Sequence, residues 1–159
     1  MTPPDPFDPI KLARFIATKG IPHNRVIGAE MVSVELNQAV MRLPWKEELV
    51  GNPETGWLHG GVITTLIDSA FGLAVFTGLD EIRAIATIDL RLDYIKPAEA
   101  RRDLFAHATC YRRTRHVAFL RGTAYHDSVD DPVAYAVGTF MIGSSDAPLT
   151  RPPAITVPT

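Results

Sequence analysis

The chain has 159 residues, 46% of them hydrophobic and 21% charged, with a formal net charge of -2 at neutral pH. That length suits one domain with its own core, the charge balance argues against a general affinity for nucleic acid, and no apolar run approaches the roughly 18 residues of a membrane span. Cys110 is the single cysteine, which excludes an intrachain disulfide and a cysteine cluster for zinc, and its apolar neighbours mark it as a small buried hydrophobe.

The start, "MTPPDPFDPIKLARF", has prolines and acids where a secretory signal carries a basic start and an apolar segment, so a cytoplasmic protein is expected. Residues 8 to 18 put Ile10, Leu12, Phe15 and Ile16 near helical spacing, with Asp8 able to cap and Pro9 in the first turn; Gly20 and Pro22 end that helix. Residues 1–25 thus form a helix and lead-in. Residues 26 to 36 and 38 to 45 are short β-prone runs about an "LNQ" turn, followed by the polar loop "KEELVGNPETGW".

From Gly61 to about Phe76 the chain is apolar on almost every side, which predicts an enclosed helix. Beyond Gly78 the pattern alternates: Ile88, Leu90, Leu92 and Tyr94 share one parity, expected to be buried, while Thr87, Asp89, Arg91 and Asp93 share the other. Residues 103 to 112, 116 to 126 and 133 to 142 repeat the strand signal, and the proline-rich tail 144–159 is expected to be loosely ordered. Helix, two strands, a loop, a buried helix and four strands without intervening helices predict an α+β fold, a curved antiparallel sheet around one central helix, over residues 26–143.

Asp68 interrupts the apolar helix "HGGVITTLIDSAFGLAV". A buried carboxylate without a partner costs several kcal/mol, so it has to pair, protonate or face a pocket. Thr64 and Thr65 are spaced to hydrogen-bond it, and Arg83 or Arg91 would serve if its role were a structural ion pair. His59, Gly60 and Gly61 sit at the helix start, where free N–H groups favour an oxyanion and glycines allow close approach. No metal pattern links His23, His59, His107, His116 and His126, and the chain has no G-x-S-x-G elbow, P-loop or G-x-G-x-x-G motif. The turn "YRRTRH" gathers Arg112, Arg113, Arg115 and His116, either a solvated hairpin or an anion-binding patch.

"HGGVITTLIDSAFGLAV" resembles the HGG-x6-D helix of the hotdog-fold acyl-CoA thioesterases, in particular the PaaI-like, phenylacetate-pathway branch. "ATIDLRLDYIKPA" is similar to that family's following strand, with its Tyr-x-x-Pro-Ala ending. The resemblance runs from about residue 26 to 143. It implies hydrolysis of an acyl-CoA thioester, with a small aromatic or short to medium-chain acyl group, in a homodimer or a tetramer built of two dimers. The site would lie between subunits. Gly60 or Gly61 of one chain would polarise the carbonyl while Asp68 of the other activates water as general base or attacks as nucleophile. His59 would shape the helix entry, Asn52 and Thr87 would place the carbonyl and the water, and Arg112, Arg113, Arg115 and His116 would meet the coenzyme A phosphates. No cofactor beyond the coenzyme A of the substrate is implied, nor any membrane partner. Two alternatives within the fold are a non-catalytic acyl-CoA binder and an acyl-thioester dehydratase or hydratase.

Overall fold

A computed structural model describes residues 8–17 and 21–143; the expectations for Gly20 as a helix stop and for the tail 144–159 fall outside the described residues. Helix α1, Pro9–Phe15, starts at Asp8, whose carboxylate accepts the Ile10 and Lys11 N–H groups at 3.0 Å each. Helix α2, Pro22–Ile27, departs from expectation. Pro22 opens a helix instead of ending one, because a proline is tolerated in the first turn where its missing N–H has no intrahelical role. Gly28, left-handed at φ 80°, closes it and returns its N–H to the Asn24 carbonyl.

Strands β1 (Glu30–Glu35) and β2 (Gln38–Leu43) form the expected hairpin. The polar loop contains a single 3-10 turn and two short paired strands, β3 (Val50–Asn52) and β4 (Trp57–Leu58), which deliver the chain to helix α3, Gly60–Phe76. Strands β5 (Ile85–Tyr94), β6 (Leu104–Arg113), β7 (Val117–Tyr125) and β8 (Pro132–Ile142) follow. The main sheet has the order β1-β2-β6-β7-β8-β5, with every neighbouring pair antiparallel.

The sheet wraps α3, which touches all six of its strands. Close approach needs small residues, and the inward faces supply them: Ala106 and Ala108 on β6, Ala118 and Ala124 on β7, Ala134 and Ala136 on β8, all buried. Phe71, fully buried on α3, lies over two glycines. A Cβ at Gly122 would meet its ring at 2.6 Å and one at Gly138 would meet it at 3.1 Å, so the ring fills the space those side chains would take.

Strand β5 ends the sheet, with no strand of the described chain on its far side. Its pairing with β8 slips between Thr87 and Asp89, which leaves Ile88 as an extra residue in a β-bulge, 60% exposed. The simple alternation expected across this strand is therefore broken. Ile88 does not join Leu90 and Leu92 on the buried side, and Thr87 turns inward instead.

His126 pins the β5–β6 connection from β7's end. Its Nε2 accepts the Glu99 N–H at 3.0 Å and its Nδ1 lies 2.8 Å from the Asp103 carbonyl, to which it donates in the neutral tautomer. With both ring nitrogens engaged and the side chain buried, it is a structural histidine. The Phe71 packing predicts that Phe71→Ala destabilises the fold by about 3–5 kcal/mol, measured as a lowered urea midpoint at unchanged slope.

Candidate active site

The entry of α3 is built by His59, the N-cap residue, whose Nδ1 accepts the Gly61 N–H at 2.9 Å. That bond requires an unprotonated Nδ1, so the neutral ring carries its proton on Nε2. It also takes Gly61 out of contention as a donor to ligand. The Gly60 N–H has no acceptor among the described residues and sits at the positive end of the helix.

Tyr94, at the end of β5, secures the same turn. Its hydroxyl donates to the Gly60 carbonyl at 2.8 Å and lies 2.9 Å from Thr64 Oγ1, which is itself 3.1 Å from that carbonyl. The sequence showed Tyr94 only as one of the buried parity; its anchoring role comes from its place at the end of β5, past the bulge, on the face turned toward α3. Thr64 and Thr65 do not hydrogen-bond Asp68. Their hydroxyls return to the Gly60 and Gly61 carbonyls four residues earlier, the local bond available to any threonine inside a helix.

Asp68 is half-buried and faces a cavity of about 580 Å³. Thr87 Oγ1 donates to its Oδ1 at 2.8 Å, a contact made possible by the bulge that turns Thr87 toward α3. No ion pair reaches Asp68 among the described residues. Arg83 is bonded to Glu81 at 2.6 Å and Arg91 to Asp93 at 2.9 Å, so neither structural partner weighed from the sequence is used. Of the three outcomes open to this acid, it faces a pocket.

One wall of the cavity is polar, with Thr65, Asp68, Ser69 and Thr87; another is apolar, with Gly72, Leu73, Phe76 and Ile85. Ile16, Ile21, His23 and Asn24 close it from the N-terminal segment. This third wall was not legible in the sequence, because residues 22 to 27 read as the end of one element and the start of a strand. Leu66 and Phe71, on the same helix as Asp68, are fully buried in the core.

The remaining candidates lie apart from Asp68. Asn52 is exposed at the β3–β4 turn, where its Oδ1 accepts the Glu54 N–H at 3.0 Å and its carbonyl accepts the Gly56 N–H at 2.8 Å. Arg113 and Arg115 join Arg83 around a smaller cavity of about 240 Å³ near the C-terminal end of α3, while Arg112 and His116 point to solvent on the same turn. Cys110 is 7% exposed, and burial pushes its thiol above the usual range, which disfavours the thiolate a nucleophile needs. Among the described residues no group of three histidine, cysteine or acidic side chains could hold a metal ion.

Residues 55–132 match the family model described as the thioesterase superfamily. The chain is 31% identical over 147 residues to the medium/long-chain acyl-CoA thioesterase YigI of Escherichia coli, spanning 84% of this chain and 94% of that protein. Among solved structures, a Pseudomonas aeruginosa protein superimposes with a TM-score of 0.75 at 38% identity, covering 84% of this chain and 98% of that one. The phenylacetic acid degradation protein PaaI of Thermus thermophilus, in a mutant form, gives 0.67 at 25% identity, covering 76% and 98%. The architecture is thus the hotdog fold.

The His59 cap predicts that His59→Ala lowers stability by about 0.5–2 kcal/mol, the ordinary worth of an N-cap. Chemical denaturation checks it; an unchanged midpoint would mean that the His59–Gly61 bond contributes nothing.

Proposed function

The chain belongs to the thioesterase superfamily, in its PaaI-like hotdog branch, and from that membership we propose that it hydrolyses acyl-CoA thioesters at a site shared by two copies of the chain. The observation that carries the shared site is a distance. Gly60 and Asp68 are eight residues apart on one helix, or about 12 Å along its axis. A reacting carbonyl needs an oxyanion donor at about 3 Å with the base on the attacking water beside it. One chain cannot bring both to the same atom; Gly60 of one and Asp68 of the other can.

Strand β5 supplies the means of association. It is ten residues long, ends the sheet and exposes Ile88 and Tyr94, with the exposed Ile95 directly after its last residue. A long unpaired edge of this kind is a template for a second strand, and pairing two β5 strands about a two-fold axis brings each α3 beside the other. A tetramer made from two such dimers extends the same reading.

In the reaction, Thr87 holds Asp68 Oδ1 and leaves Oδ2 free to take a proton from water as its oxygen adds to the thioester carbon. The partner's helix N-terminus, through the Gly60 N–H, stabilises the oxyanion. Collapse breaks the carbon–sulfur bond, and the departing thiolate recovers the proton from Asp68, yielding the carboxylic acid and free coenzyme A. In the nucleophilic variant Asp68 attacks the thioester carbon and expels the coenzyme A thiolate, water hydrolyses the resulting anhydride to the carboxylic acid and the Asp68 carboxylate, and the proton released goes to the thiolate. Neither route calls for a metal or a second cofactor.

The apolar wall of Leu73, Phe76 and Ile85 suits an acyl chain, and a volume of about 580 Å³ lies within the roughly 300–1,000 Å³ of small-molecule sites. The name of the Escherichia coli relative supports a medium or longer chain over a small aromatic group. The Arg112–His116 turn lies near the C-terminal end of α3, the end away from Gly60, and its guanidinium groups suit the phosphate oxygens of coenzyme A. Asn52 would act through the β3–β4 turn that leads into His59. No helix among the described residues is long and apolar enough to cross a membrane; the proposed compartment is the cytoplasm.

Asp68→Asn is expected to stay folded and dimeric while kcat for thiol release from an acyl-CoA falls by about 10²-fold or more. A wild-type rate in that variant would remove Asp68 from the chemistry, and tight acyl-CoA binding without thiol release in the native protein would favour a binding role. Arg113→Ala and Arg115→Ala are expected to raise KM more than they lower kcat, since contacts far from the reacting atoms are made equally in ground and transition states. A monomeric mass for the active species would defeat the shared site.

A further inference from the structure

A separate cavity of about 320 Å³ opens beside the start of α3, with Trp57, Gly60, Ile63, Tyr94, Ile95 and Pro97 in its lining, and it shares no residue with the cavity at Asp68. Large apolar groups face solvent around it: Trp57 is 42% exposed, Tyr94 52% and Ile95 55%. Tyr94 and Ile95 stand at the end of β5, where a second β5 strand would cover them. Trp57 stands on β4, in the other sheet and off that edge, so strand pairing by itself does not account for its exposure.

The two cavities complement each other across the two-fold axis of the proposed dimer. The first residues of β5, Ile85 to Thr87, line the Asp68 cavity, and its last, Tyr94, lines the Gly60 cavity. Two such strands paired about a two-fold axis run antiparallel, so the Ile85 end of one meets the Tyr94 end of its partner. The Asp68 cavity of one chain then abuts the Gly60 cavity of the other. A thioester carbon carries an acyl substituent and a thiol substituent, and with the acyl chain along Leu73, Phe76 and Ile85 the thiol side leads into the cavity at the partner's Gly60.

We propose that this cavity binds the amide-bearing arm of the substrate thiol and that Trp57 is the residue that recognises it. The inference rests on the shared-site, acyl-CoA reading above. The arm of coenzyme A alternates short methylene runs with amide groups. An indole face packs against both, and the Trp57 N–H of the ring, which has no acceptor among the described residues, is a donor for an amide carbonyl.

The test is kcat/KM by thiol release for octanoyl-pantetheine and for S-ethyl thiooctanoate, which has the same acyl group and no arm. The native protein is expected to favour the pantetheine thioester, and Trp57→Ala is expected to shrink that preference by roughly tenfold. Trp57→Phe, which keeps an aromatic face, is expected to retain most of it. Each ratio is taken within one variant and does not depend on the fraction of protein folded; should Trp57→Ala not fold, Trp57→Leu is measured in its place. No preference in the native protein, or an undiminished one in the folded variant, would overturn the role of Trp57. A loss in Trp57→Ala that grows from butanoyl-CoA to octanoyl-CoA would put the ring on the acyl side and overturn it too. In each of these outcomes thiol release by the native protein leaves the thioesterase reading standing. Absence of thiol release from every one of these substrates, or a monomeric active species, would instead strike the shared-site reading, and this inference with it.

Discussion

A helix that is apolar on nearly every side has to be enclosed, and the rest of the molecule follows from how that is done. Helix α3 leaves little polar surface for water, so six strands wrap it. The wrapping is tight because many of the facing positions are alanine and because Gly122 and Gly138 make room for the Phe71 ring. A sheet bent this closely around one helix leaves few places for a carboxylate. Asp68 occupies one of them, on the side where α3 faces the cavity closed by β5 and the N-terminal segment, and not on the side packed against β6.

The same enclosure sorts the polar groups of α3 by position along the helix. At its start, His59 takes the Gly61 N–H and Tyr94 with Thr64 takes the Gly60 carbonyl, so the turn is rigid while the Gly60 N–H stays available. Midway, Thr87 orients Asp68. Near the end, the arginine turn borders the helix terminus. The length of the helix keeps Gly60 and Asp68 apart, and the proposed two-chain site would restore their proximity with a second helix.

Much of this was legible in the residues, and the exceptions have physical causes. The later strands and the first hairpin could be read from their β-prone runs, and the central helix from a long apolar run without proline. The entry motif and Asp68 could be read because both lie on one continuous segment, where spacing in sequence translates directly into spacing in space. Helix α2 could not, since Pro22 is as compatible with opening a helix as with ending one and only the surrounding fold decides. Thr87 was named as a site residue through the family resemblance, but its bond to Asp68 was not foreseen, and the alternation of β5 put it on the face opposite the buried one. A bulge depends on how two strands pair, and that information is not in either strand alone. Asn24 was invisible for the same reason: nothing local distinguishes an asparagine at a helix end from one whose amide is sealed beneath a neighbouring helix.

The bulge at Ile88 has a consequence for how β5 can vary. Residues 85–87 and 89–94 are out of phase with one another, and the extra residue is what reconciles them. Substituting the exposed Ile88 side chain leaves that reconciliation intact. Deleting the residue would restore a regular ladder and rotate one half of the strand by a full face, carrying either Thr87 away from Asp68 or Tyr94 away from Gly60. At this position residue count is constrained more tightly than residue identity, so descendants of this chain are free to change the letter but not to lose it.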